Sequence, residues 1–220
     1  MKKAVVLLSG GMDSAVTLYM AMRRYECSAL IFDYGQKAVK ELECAETLCR
    51  DASVRYHVMK IDMPWKGSAL LDEATEIPGG DISAGADIPV TYVPSRNIIF
   101  LSFASSFAES IGAGAVCIGA HQLDYSNYPD CRSDFFDSYR ETLRLGTRQG
   151  VQGNPVKIVT PVIDMSKREI ILKGAELGVP FEKTWSCYAR GQHPCGKCES
   201  CLLRARAFEQ AGIEDPLLNN

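Results

Sequence analysis

The chain has 220 residues, 46% of them hydrophobic and 23% charged, with a formal net charge of -3. That size and apolar content support one large core, a single α/β domain over residues 1–220, and the slight acidic excess excludes a surface built mainly to neutralise nucleic-acid phosphates. No apolar run approaches the ~20 residues that span a bilayer, and no charged leader precedes the first strand pattern, so neither membrane nor nucleic acid is expected as a partner and a cytoplasmic location is expected.

In chain order, apolar strand patterns at Val5 to Leu8, Ala29 to Phe32, His57 to Ile61 and Ala115 to Gly119 alternate with helical patterns at Ser14 to Arg24, Val39 to Asp51 and Ile98 to Ile111. The alternation predicts right-handed βαβ units: a Rossmann-like parallel sheet with helices on both faces and ligands at the carboxyl ends of its strands. Pro64 to Pro94 has little periodicity and reads as a long excursion over that edge, a lid or binding loop. A polar loop, His121 to Arg132, precedes a helix from about Ser133 to Leu145 and a strand from Val156 to Thr160. Ser166, with Glu169 three residues on, predicts a capping box at the start of another helix. A four-cysteine subregion at about 185–203 and one last helix follow.

Directly after the first strand stands Ser9-Gly10-Gly11-Met12-Asp13-Ser14. Two glycines at a strand-to-helix junction let backbone N–H groups converge on an anion at the positive end of a helix, and the two serines add hydroxyl donors. The alternative is a tight turn in which Asp13 or Ser14 caps the helix. Neither the Walker lysine nor the dinucleotide Gly-x-Gly-x-x-Gly is present. The hexapeptide resembles the pyrophosphate loop (PP-loop) of the N-type ATP pyrophosphatases, which have an adenine nucleotide alpha hydrolase-like fold. That resemblance implies ATP bound over Leu8 to Ser14 and cleavage between the α and β phosphates. At the end of the second strand, Asp33, Tyr34 and Gln36 occupy a position from which such a sheet touches the nucleoside, although a turn explains Asp33 equally well.

The nine cysteines are unevenly spread. Cys27, Cys44, Cys49 and Cys117 stand in apolar contexts and read as core residues, while Cys131 stands alone in a polar loop. Cys187, Cys195, Cys198 and Cys201 form a cluster suited to one tetrahedral zinc ion. An iron–sulfur cluster is the competing reading of Cys195-x2-Cys198-x2-Cys201; the fourth cysteine lies upstream rather than downstream before a proline, which favours zinc. Lys197, Arg190, Arg204 and Arg206 are available to offset the charge of four thiolates. A closed shell of this kind predicts a structural metal and leaves His193 outside it.

Two polar constellations remain. Tyr92-Val93-Pro94-Ser95-Arg96-Asn97 opens a helix, as a plain helix start or with Arg96 gripping phosphate or carboxylate. Asp124, Tyr125, Tyr128, Asp130, Cys131 and Arg132 crowd one loop, which is either a solvated surface or a site for a flat heterocycle.

Taken with Trp185-Ser186-Cys187-Tyr188, Ala205 to Phe208 and Glu214-Asp215-Pro216, these motifs resemble, end to end and in order, the 7-cyano-7-deazaguanine synthase family of the queuosine pathway. The departures are Ser95, where glycine is usual, and His121-Gln122, in a stretch that varies. The resemblance implies an ATP-dependent carbon–nitrogen ligase that joins 7-carboxy-7-deazaguanine and ammonia and carries the product on to the nitrile. It further implies Mg²⁺ with the ATP, Asp13, Arg96 and Lys167 as catalytic residues, substrate contacts from Arg96, Asn97, Asp124, Tyr125, Tyr128, Asp130 and Arg132, and a homodimer.

Overall fold

In a computed structural model, residues 1–80, 87–122 and 128–219 are described. Their elements run β1 (Lys2–Leu7), α1 (Met12–Met22), β2 (Tyr25–Asp33), α2 (Lys40–Asp51), β3 (Arg55–Lys60), α3 (Arg96–Ser110), β4 (Ala115–Cys117), α4 (Ser133–Gly146), α5 (Arg148–Val151), β5 (Lys157–Val159), α6 (Lys167–Leu177) and α7 (Glu199–Ala211). All pairings are parallel, in the order β3-β2-β1-β4-β5. The order reverses between β1 and β4, which is where an open parallel sheet presents its binding crevice.

Burial on both faces explains why β1 reads as a continuous apolar run rather than an alternating one. Ala4, Val6 and Leu8 pack on one side with Leu18 of α1, Leu48 of α2, Ile170 of α6 and Phe208 of α7. Val5 and Leu7 pack on the other with Leu101 of α3 and Phe136 of α4. Cys27, Cys49 and Cys117 are buried in this core, as expected of small apolar residues.

The capping box forms: the Ser166 hydroxyl accepts from the Glu169 N–H while the Glu169 carboxylate accepts from the Ser166 N–H at 2.8 Å. The single turn α5 has no apolar period to announce it; Thr147 caps it, accepting from the Gly150 N–H at 3.0 Å. The excursion after β3 is anchored at its middle, where Gly79 bridges to Cys198 and the Gly80 N–H donates to the Lys197 carbonyl at 2.8 Å. It thus packs on the cysteine segment.

Candidate functional site

One cleft opens at the carboxyl edge, lined by the loop after β1, the ends of β2 and β4, and the first turns of α1, α3, α6 and α7. Leu8, Ser9, Gly11, Met12, Asp13, Ser14, Tyr34, Gln36, Arg96, Asn97, Tyr128 and Lys167, all singled out in the sequence, line it. So do His121, Glu41, Tyr188 and Glu199, whose roles sequence reasoning passed over.

The loop is shaped by two close backbone approaches. Gly10 has φ +87°, and a Cβ there would lie 2.2 Å from the Glu41 carbonyl oxygen, so the loop packs directly on the start of α2. Gly119, just past β4, would place a Cβ 2.8 Å from the backbone of Asp13, so the switch-point strand presses on the first turn of α1. Gly11 is the N-cap of α1 and supplies no side-chain acceptor, so neither Asp13 nor Ser14 caps the helix, and its first N–H groups point out of the helix start in the arrangement that suits an anion. The Ser9 hydroxyl donates to the Ser14 Oγ at 3.1 Å and accepts from the Gly11 N–H at 3.3 Å, while the Ser14 hydroxyl donates to the Gly11 carbonyl at 3.0 Å. These bonds hold the turn in shape.

Asp13 is half-buried and pairs with Lys167 Nζ at 2.6 Å, with His121 Nε2 at 3.7 Å. Burial pushes its pKa up, but Lys167 and His121 more than offset that, and the carboxyl titrates below its ordinary value. Its Oδ1 is buried and has no hydrogen-bond partner among the described residues, which suits an acceptor for a cation or donor arriving with a ligand.

Also lining the cleft, Arg96 donates to the Tyr34 hydroxyl at 3.2 Å and lies 5.9 Å from its ring centroid. Burial disfavours charge on the guanidinium, yet Tyr34 and Tyr128 raise its pKa overall, so it stays cationic. Ser95, immediately before it, has φ +56°, a left-handed conformation that glycine takes without strain. Burial lifts the Glu41 carboxyl to about 8 against the pull of Arg96.

Other singled-out residues are not brought to the cleft. The Asp130 carboxylate accepts the Asn97 N–H at 3.0 Å and so satisfies the start of α3. Arg132 is exposed, Gly10 is turned onto α2, and Asp33 lies off the cleft with a 3.4 Å contact from the Gly35 N–H. The Gln36 side chain folds back, accepting from the Tyr34 N–H at 2.9 Å and donating to the Phe32 carbonyl at 3.1 Å, and so holds the turn after β2 in shape. Asp124 and Tyr125 lie outside the described residues.

Beside the cleft, the sulfur atoms of Cys187, Cys195, Cys198 and Cys201 all lie within 4.8 Å of one another, Cys195 and Cys201 4.0 Å apart. Zn–S bonds of ~2.3 Å in a tetrahedron require sulfurs about 3.8 Å apart. Backbone N–H groups of Ala189 and Cys195 donate to Cys187 Sγ at 3.4 and 3.3 Å, stabilising a thiolate. The cluster therefore fits a metal ion. The expected charge compensation differs: Arg204 is buried and donates to both Asp215 oxygens at 2.6 and 2.8 Å, and Arg190 pairs with Glu73. Tyr188 follows the first of these cysteines and Glu199 the third, so the knuckle carries part of the cleft wall.

A switch-point cleft with a glycine loop at a helix start and a four-cysteine knuckle alongside defines a Rossmann-like α/β protein. The chain belongs to the family described as queuosine biosynthesis protein QueC, whose model matches residues 3–212. It is 50% identical over 221 residues to a 7-cyano-7-deazaguanine synthase of Trichodesmium erythraeum, covering 98% of this chain and 100% of the relative. Synthases of the same name from Nostoc punctiforme and Thermoplasma acidophilum are 51% and 47% identical, over 98% of this chain and 99% and 91% of theirs. Among the described residues no helix is long and apolar enough to cross a membrane.

Proposed function

We propose that the chain, as one domain over residues 1–220, is an ATP-dependent carbon–nitrogen ligase that converts 7-carboxy-7-deazaguanine and ammonia to 7-cyano-7-deazaguanine. The observation that carries this reading is the glycine loop between β1 and α1, open at the switch point and flanked by Asp13, Lys167 and Arg96. The family relationship supplies the substrate class.

In this reading the loop and the start of α1 hold the diphosphate part of ATP. Lys167 adds positive charge where pyrophosphate departs, and Asp13, through its unpartnered Oδ1, would hold Mg²⁺. Arg96, kept cationic by Tyr34, receives the substrate carboxylate and orients it toward the α-phosphorus. Tyr34, Tyr128 and Tyr188 offer ring faces and hydroxyls to a flat heterocycle, with Asn97 beside them. Asp124, Tyr125, Asp130 and Arg132, expected as further contacts, have no support from the described cleft. Carboxylate oxygen leaves poorly and adenylate leaves well, so one ATP allows ammonia to form the amide and a second allows the amide oxygen to be lost.

The four cysteines would hold one Zn²⁺, with a closed shell that supplies structure rather than an open coordination position. Their sulfur spacing supports a four-thiolate site, and elemental analysis separates zinc from iron. A homodimer in the cytoplasm is the assembly we propose. Val58 on edge strand β3 and Ile98 and Phe103 on α3 are exposed apolar residues that a second copy could cover, and light scattering measures the mass. Mass spectrometry of the product from the acid, ATP, Mg²⁺ and ammonium tests the assignment: the nitrile is expected, and no AMP or only unchanged acid would refute it. If turnover instead required tRNA, the small-molecule assignment would fail.

A further inference from the structure

The nitrile-forming step requires a base, and Asp13 is committed to Lys167. Among the described residues three carboxylates line the cleft: Asp13, Glu41 and Glu199. Glu199 begins α7 directly after Cys198 and belongs to the wall built by the cysteine knuckle. Glu41 differs from both. It stands in the first turn of α2, its backbone carbonyl pressed against Gly10 of the phosphate loop, and its carboxyl makes no hydrogen bond or ion pair among the described residues. The ionisable groups that face it are Arg96 from α3 and Tyr34 after β2, with Cys44 on its own helix. Arg204 lines the same cleft but is committed to Asp215.

We propose that Glu41 is a further catalytic residue, the base that removes the amide N–H proton as AMP departs. The inference rests on the ligase reading above. The step balances without a redox partner. After the amide oxygen has attacked the α-phosphorus with departure of pyrophosphate, and the amide nitrogen has lost one proton to solvent, the intermediate is an imidate adenylate, R–C(=NH)–O–AMP. The Glu41 carboxylate takes the remaining N–H proton, that bonding pair becomes the third C–N bond, and the C–O pair leaves with AMP. The products are the nitrile, AMP and a protonated Glu41.

Placement and environment suit this task. The residue adjoins the loop that positions the phosphorus, and it sits with Arg96, which receives the substituent undergoing reaction. Burial holds the carboxyl at about 8, near the operating pH at which general bases work best. Its ionised fraction, and with it the rate of the second step, rises as the pH passes through that value and levels off above it.

The test uses the intact metal-loaded protein supplied separately with the acid and with the amide. Glu41→Gln keeps size and removes the base. The expected result is accumulated amide from the acid, a fall of roughly 10²–10⁴-fold in nitrile formation from the amide, and loss of the alkaline rise in rate. Glu41→Asp, which keeps a carboxyl one methylene shorter, should recover part of the nitrile step and its pH dependence. Unchanged nitrile formation in Glu41→Gln overturns the proposal, as does equal loss of both steps with no recovery in Glu41→Asp, or amide accumulation in Glu199→Gln instead. If the wild-type protein makes neither AMP nor nitrile, the ligase reading itself fails, a result separate from any behaviour of the variants.

Discussion

Gly119→Ala adds one methyl group where β4 presses on the phosphate loop. The new Cβ would lie 2.8 Å from the carbonyl carbon and oxygen of Asp13 and 2.9 Å from the Ser14 nitrogen, all backbone atoms that no rotamer change can move. Restoring ordinary contact requires strand and helix to part by roughly 0.5 Å in a close-packed interior. Overpacking of this kind costs about 1–3 kcal/mol, which in a domain of this size lowers the melting temperature by about 3–10 °C. The displacement equals the ~0.5 Å tolerance of a catalytic constellation, and misplacement by ~1 Å costs about 10²-fold, so kcat/KM for ATP should fall by about 10- to 100-fold. Pyrophosphate release at saturating acid and ammonium measures the rate, and scanning calorimetry the stability. A variant as stable as wild type with unchanged ATP kinetics would refute the packing argument; lower stability with full ATP turnover would refute the claim that this contact sets the loop's geometry.

Asp13→Ala should abolish AMP formation while leaving the metal content measured by elemental analysis unchanged, because Asp13 faces the cleft and not the cysteines. Asp215→Ala leaves Arg204 buried and without its bidentate partner, so chemical denaturation should show a loss of about 3–5 kcal/mol, whereas an unchanged midpoint would mean that solvent reaches the guanidinium. Glu41 has a folded-state pKa of about 8, raised above its unfolded value. The stability tied to its protonation is therefore fully present below about pH 4.3 and is lost as the pH rises through about 8. Relative to Glu41→Gln, the wild-type melting temperature should fall across that window, and parallel pH profiles for the two proteins would contradict the burial argument.

Local chemistry made much of this molecule legible. The alternation of apolar runs foretold the parallel sheet, because strands covered on both faces need unbroken apolar stretches. The loop from Ser9 to Ser14 and the four cysteines were readable because each is assembled within a few residues. Lys167 was foreseen only through resemblance, and its contact with Asp13 joins residues 154 positions apart. His121 lay hidden in a stretch read as variable; its place just after Gly119 at the switch point was the available signal. Glu41 carries no sequence signal, because an acid in the first turn of an amphipathic helix is accounted for by the dipole alone. Asp130 and Arg132 show a different limit: polar density in a loop does not reveal which side chains line a cleft, and Asp130 accepts the Asn97 N–H. Arg204 was assigned to the thiolates because it is near in sequence, but Asp215, eleven residues on, holds it.

The most direct test is a crystal structure with Mg²⁺ and a non-hydrolysable ATP analogue. The β and γ phosphates should lie against the backbone from Ser9 to Ser14 with Lys167 beside them and the cation on Asp13. Phosphates bound elsewhere, with that turn empty, would contradict the account.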